Sequence, residues 1–335
     1  MSKNRIKNLI VGNKPDLRIL GFIVAGIFLL GFILLTPQVI FPSTRGIAEQ
    51  KAGHLASHDE PQSDCGDISD NPVKEMKLTA ETVVWEVAPG RSFVGWAFNG
   101  TIPGPHICLN EGDTLILTLE NRLNTIISFH AHGLLHDFKS DGTFISNSFA
   151  VPGGTYTYVL YATNATIGTW AYHDAVAELD EEIIVENVTI PESGEGIERG
   201  LFGALIVYPK DDPVQADHEI ILVESEFEAE VTQGPTYMTF NGRISPYTPH
   251  YFFKLGETIR FRVINVGPNA NHDIFVPGLE WRDAKTGELV DSVLFGALEF
   301  GDFLIEANKV TETTYICGIP DHDVWGMIGM FTVIE

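Results

Sequence analysis

The chain repeats itself, and the repeat limits its architecture more than any other feature. Phe98-Asn99-Gly100 recurs as Phe240-Asn241-Gly242. Gly112-Asp113-Thr114-Leu115, followed by Glu120-Asn121, recurs as Gly256-Glu257-Thr258-Ile259, followed by Ile264-Asn265. The copies lie about 142 to 145 residues apart, which suits one domain per copy. Short β-type segments surround the repeated words, at 82–86, 114–119, 155–160, 204–208, 219–223 and 258–264. Several alternate apolar with polar residues, and turn clusters such as Pro152-Gly153-Gly154 separate them. The expectation is an all-β protein of two tandem β-sandwich domains, 76–212 and 213–335, parted near Lys210-Asp211-Asp212-Pro213.

Ahead of the sandwiches, residues 19–35 form an uncharged apolar run that Val39 to Phe41 extend toward the ~20 residues needed to span a bilayer. This predicts one transmembrane helix over 19–41. Lys3, Arg5, Lys7, Lys14 and Arg18 precede it against the single acid Asp16. The positive-inside rule therefore makes 1–18 a cytoplasmic basic segment and puts the C-terminal domains on the extracytoplasmic side of the cytoplasmic membrane. No A-x-A site follows the run, which favours an uncleaved single-pass anchor over a cleaved signal peptide. Residues 42–75 are polar and rich in Ser, Asp, Gly and Glu, and read as a flexible linker in which His54 and His58 are solvated.

Beyond residue 18 the chain carries 16 basic residues against 44 acidic ones, a net charge of −28. Nucleic acid is excluded as a partner on that balance, because phosphate binding needs clustered Lys and Arg. A basic partner would suit it, as would a plain role in solubility. Of the three cysteines, Cys65 and Cys108 are a candidate disulfide tying the linker to the first domain, which leaves Cys317 for chemistry.

Cys317 opens the segment Cys317-Gly318-Ile319-Pro320-Asp321-His322-Asp323-Val324-Trp325-Gly326-Met327. A strand ends at the cysteine, a loop containing Gly and Pro follows, and a strand resumes after Gly326. Such a loop gathers thiolate, imidazole and thioether around one point. Two His and one Cys with a weak axial Met make an electron-transfer (type 1) copper site, and His272, on an earlier strand, supplies the second imidazole. Met330 is a second candidate for the axial position.

Over roughly residues 76 to 335 the sequence resembles the multicopper oxidases, most closely the two-domain (small) laccases. The resemblance is carried by Phe98-Asn99-Gly100-Thr101-Ile102-Pro103-Gly104-Pro105, by Phe129-His130-Ala131-His132-Gly133, by Gly168-Thr169-Trp170-Ala171-Tyr172-His173-Asp174, by Arg199 to Val207, and by the closing Cys317 loop. It implies two cupredoxin-like Greek-key sandwiches, copper as cofactor, and a homotrimer in which domain 1 of one subunit faces domain 2 of the next.

The sequence departs from the family where oxygen is reduced. The family's trinuclear cluster takes eight histidines from four motifs. Domain 1 keeps His130, His132 and His173 but has Ala175 at the fourth place, and domain 2 has Phe275, Pro277, Ile316 and Gly318 at its four. The internal repeat sets Ile127 opposite His272 and Asp174 opposite Cys317, so domain 1 lacks a type 1 site. What remains is one type 1 copper and a candidate mononuclear copper or zinc site on His130, His132 and His173, with Asp174 and His136 as candidates for proton transfer or support.

Three functions follow. The first is a membrane-anchored carrier that passes single electrons to or from a redox partner protein. The second is a copper oxidoreductase resembling the copper nitrite reductases, with His130, His132, His173 and Asp174 as the catalytic group. The third is a non-catalytic copper storage or sensing module.

Overall fold

In the strand Thr114–Asn121, buried Leu115, Leu117, Leu119 and Asn121 alternate with half-buried neighbours, so one face of the ribbon enters a core. The computed structural model describes Cys65, Ile68 and residues 70–176, 183–185, 188–190, 196–212 and 214–335. The expected transmembrane helix over 19–41, the segment 1–18, most of the linker, His54 and His58 lie outside the described residues. Among the described residues no helix is long and apolar enough to cross a membrane.

The first sandwich pairs a five-stranded sheet, in the order Arg91–Phe98, Val73–Ala88, Thr114–Asn121, Thr155–Tyr161, Leu135–His136, with a four-stranded sheet. The latter runs Ile107–Asn110, Phe202–Tyr208, Gly168–His173, His130–Ala131. In the second sandwich a six-stranded sheet runs Tyr237–Phe240, His218–Phe227, Thr258–Asn265, Phe300–Glu306, Trp281–Asp283, Leu289–Val290. Its five-stranded partner runs His250–Lys254, Ile328–Ile334, Thr311–Cys317, His272–Phe275, Val293–Phe295. The described residues are mostly β-strand with a cupredoxin-like fold, and the few helices among them are single turns.

The sequence repeat reappears bond for bond. Asn99 accepts from the Thr79 amide at 2.8 Å, and Asn241 accepts from the Val223 amide at 2.7 Å. Both asparagines take positive φ, 53° and 50°, ahead of a positive-φ glycine, which is why Asn-Gly was the repeated word. Asn121 donates to the Thr125 and Ala150 carbonyls as Asn265 does to those of Ala270 and Phe295. The buried Tyr172 hydroxyl donates to the Pro105 carbonyl, and the buried Tyr315 hydroxyl to that of Pro249.

Each sandwich has its own core, and a third core joins them. The strand Phe202–Tyr208 is apolar throughout because both its faces are covered. Leu205 and Val207 enter the first core, while Phe202, Ala204 and Ile206 meet Ile221, Val223 and Phe227 of the second sandwich. Beside this seam the nearly inaccessible Arg262 bonds Glu219 at 2.5 Å, Thr169 of the first sandwich at 2.7 Å and Asp302 at 3.3 Å.

The sequence-based boundary of the linker needs a correction of three residues. The strand Val73–Ala88 begins inside the stretch 42–75, because Val73 onward pairs in parallel with Thr114–Asn121 while its later residues pair antiparallel with Arg91–Phe98. Cys65 and Cys108 form a disulfide with Cα atoms 5.7 Å apart, and the Tyr208 hydroxyl lies 3.3 Å from the Cys65 sulfur.

Candidate metal centre

Two strands and a loop bring the first donor set together. His272 opens the strand His272–Phe275, Cys317 closes the neighbouring strand Thr311–Cys317, and Ile274 pairs with Cys317 across them. The loop after Cys317 is tightly wound: the Cys317 amide donates to the Met327 carbonyl, the His322 amide to that of Ile319, and the Met327 amide to that of His322. Asp321 and Gly326 take positive φ in this loop, and a Cβ on Gly326 would press on Ile244.

The outcome is a buried triangle of donors. His272 Nδ1 lies 3.2 Å from His322 Nδ1, and Cys317 Sγ lies 3.7 and 3.4 Å from these two nitrogens. Three donors in a plane, each roughly 2.0 to 2.3 Å from one ion, would stand about 3.5 to 3.9 Å apart, so the set fits a single metal ion. His272 is 0% exposed, Cys317 2% and His322 7%. Met327, fully buried, lies in the same core cluster as Cys317, whereas Met330 is half-buried on the outward pleat of Ile328–Ile334. The Asp273 amide points at Cys317 Sγ at 3.4 Å.

Burial, more than the neighbouring Glu224 and Asp273, pushes the Cys317 thiol up to about 11, and burial followed by His272 holds His322 below the usual imidazole range. A metal binds thiolate and neutral imidazole, so uptake displaces the thiol proton.

The second set lies on the first sandwich. His130 pairs directly with His173 across adjacent strands, and the His132 amide donates to the Ala171 carbonyl, so the three rings share one face. His130 Nδ1 bonds the Asp141 carbonyl and His173 Nδ1 bonds the Asp174 carbonyl. A carbonyl only accepts, so both Nδ1 atoms carry the proton and both Nε2 atoms keep a lone pair. His132 Nε2 lies 3.0 Å from His173 Nε2, and the ring centroids stand 5.1 to 5.5 Å apart. Burial holds His132 below its ordinary value and His173 at about 4, which keeps both neutral, as metal ligation requires.

The two supporting residues expected from sequence each have partners of their own. Asp174 directly follows the strand that ends at His173, and its Oδ1 accepts from the Ser128 amide at 2.8 Å and the Ser128 hydroxyl at 3.0 Å. Burial raises its carboxyl to about 6. His136 meets the His130 ring edge-on, with centroids 6.4 Å apart, and its Nε2 lies 3.8 Å from Asp141 Oδ1.

Two carboxylates escaped the sequence reading. Glu224 and Glu226 lie on the core-facing pleat of His218–Phe227 with Ile220 and Leu222, 0% and 3% exposed. Their period-two spacing from those apolar residues was the available signal.

Residues 79–212 match the family model described as multicopper oxidase. The solved blue copper oxidase from Nitrosomonas europaea superposes with a TM-score of 0.67 at 25% identity, covering 78% of this chain and 86% of that one. The likeness to multicopper oxidases thus rests on a family match over residues 79–212 and on a shared fold. Among curated relatives, a probable nitrite reductase-hydroxylamine oxidoreductase fusion protein of Kuenenia stuttgartiensis is 28% identical over 285 residues, 78% of this chain and 31% of that protein. The copper-containing nitrite reductase of Neisseria gonorrhoeae is 27% identical over 229 residues, 62% of this chain and 54% of that protein. This chain thus spans from about a third to about half the length of these two relatives.

Compared with the family's pattern, the chain is altered beside its cysteine. A Cβ on Gly318 would stand 2.8 Å from an Asp273 carboxylate oxygen and 3.1 Å from the Phe275 ring, so the space flanking Cys317 is already filled. Neither Asp273 nor Phe275 restores the imidazoles missing at 275, 277, 316 and 318, and the residues present do not fit a trinuclear cluster.

Proposed function

We propose that the chain is a membrane-anchored copper oxidoreductase that moves single electrons through one type 1 copper, which His272, Cys317, His322 and Met327 would hold. The convergence of two Nδ1 atoms and one Sγ within 3.7 Å, in a site closed to water, carries this reading. Copper bound there supplies a Cu(II)/Cu(I) couple. The chain's part is to hold the ligands in place: the wound loop fixes His322 and Met327, the Asp273 amide supports the thiolate, and burial excludes water.

His322 is the ligand nearest the surface, stacked by Trp325 at 6.0 Å and flanked by exposed Val324. Electron exchange with a redox partner at this edge suits that exposure, and the charge of −28 beyond residue 18 suits a basic partner.

The convergence of His130, His132 and His173 favours a second reading, a mononuclear copper or zinc on these rings and turnover of the nitrite reductase type. One experiment addresses both: metal counting, absorption and EPR on the copper-loaded full-length protein, with Cys317→Ser and His130→Ala. One type 1 copper per chain, with a thiolate-to-copper band that Cys317→Ser abolishes, is the expected result. A second, type 2 signal lost in His130→Ala, together with nitrite or oxygen turnover, would favour the enzyme. Absence of the thiolate band from the loaded protein sinks the type 1 assignment, and bound copper that neither exchanges electrons nor turns over points to storage or sensing.

A further inference from the structure

Behind the proposed copper centre lies a pair of buried atoms with no other partner. His272 Nε2 and Glu226 Oε2 are both shut off from solvent and both lack a hydrogen bond at ordinary length, and they face each other at 3.6 Å. The other oxygen of Glu226 is anchored, accepting from the Asn269 amide at 2.7 Å and the Ala270 amide at 3.1 Å. From this geometry, and resting on the type 1 reading above, we infer that Glu226 is the positioning residue of the centre: it holds His272 as the Nε2–H tautomer and so reserves Nδ1 for metal.

The argument is one of proton placement. A carboxylate anchored by two amides is an acceptor, and buried polar atoms are satisfied only in complementary pairs. His272 Nε2 meets that need only by carrying the imidazole proton. The lone pair is then on Nδ1, the atom that faces Cys317 Sγ and His322 Nδ1. Gly267 makes the arrangement feasible, since a Cβ there would overlap Glu226 Oε2, and its amide is tied to Asn265 Oδ1 at 2.8 Å.

The first sandwich is an internal control. The matched Asn99 and Asn241 bonds align Thr79 with Val223, which sets Thr82 opposite Glu226, while the sequence repeat sets Ile127 opposite His272. Where the metal-binding imidazole is absent, the buried carboxylate is absent too, and Thr82 is exposed.

The test has two arms. Long-range 1H–15N NMR of the metal-free full-length protein reads the tautomer of His272 directly: Nε2–H is expected, and Nδ1–H overturns the inference whatever any variant does. Glu226→Gln offers a single acceptor oxygen, which cannot serve both the Asn269/Ala270 amides and His272. It is expected to weaken copper binding about ten- to hundred-fold in chelator competition. It is also expected to shift the Cu(I)/Cu(II) ratio several-fold toward Cu(I) at a fixed ambient potential, because a negative charge behind the ligand is lost. Wild-type protein that takes up copper without a thiolate band would fail the type 1 reading itself. If the band forms and Glu226→Gln leaves both affinity and ratio unchanged, the role of Glu226 alone fails.

Discussion

Glu224 is fully buried inside the second sandwich, and neither of its carboxyl oxygens has a hydrogen-bond partner. Burial, helped by Asp273, raises its carboxyl from 4.5 to about 8. The folded protein therefore keeps a proton that the unfolded chain gives up. Stability from this site is whole below pH 4.5 and falls as pH rises toward about 8. The cumulative loss is on the order of a few kcal/mol, at about 1.4 per pH unit. Glu224→Gln should thus melt higher than wild type at pH 9, with the gain shrinking toward pH 4.5; melting curves of the metal-free protein that differ equally at both pH values would contradict this. The residues of the proposed copper site were legible because Cys, His and Met have few other reasons to share one loop. Glu224 and Glu226 were not, since carboxylates are expected outside and only the pleat parity of their strand betrays them. Asp174 stood out by its adjacency to His173, but its bonds to Ser128 were not legible, because they join segments far apart in sequence.

The Asn-Gly turns are the elements in which sequence and structure correspond most closely. Asn241 combines φ of 50° with a side chain that accepts from the Val223 amide and donates to the Ile221 carbonyl. Asn241→Ala loses those bonds and keeps the strained backbone, which should cost about 2 to 4 kcal/mol, while Asn241→Gly loses the bonds but not the conformational fit and should cost about half as much. Urea unfolding of the two variants measures the difference, and equal losses would mean that backbone conformation is not what selects asparagine there. Strand positions were legible from alternation, yet the segment 82–86 proved to be part of the 16-residue strand Val73–Ala88. Its length comes from having one partner on each side at different points along it, a tertiary cause that local periodicity cannot carry. The strand Phe202–Tyr208 has the same origin, its continuous apolar run reflecting two cores at once.

For the whole molecule the decisive feature is the third core. Phe227 is fully buried in it, 4.6 Å from the Phe93 ring and 6.3 Å from that of Phe202. Phe227→Ala should cost about 3 to 5 kcal/mol and, because the lost contacts lie between the sandwiches, should split one calorimetric transition into two. A single transition in the variant would mean that the seam is held by other residues, foremost Arg262, which bonds Thr169 and lies over the Tyr208 ring. The duplicated architecture was legible from the repeated words; the seam was not, because nothing in a single strand says which of its faces will meet a second domain. Large apolar contacts between domains suppress hinge motion. The His272–Cys317–His322 site and the His130–His132–His173 site are thereby mounted on one rigid body, and the span between them is a constant of the chain. An electron passing from one to the other within a single molecule would meet the same gap on every trip, so its rate would be written in the fold and not in the timing of any domain movement.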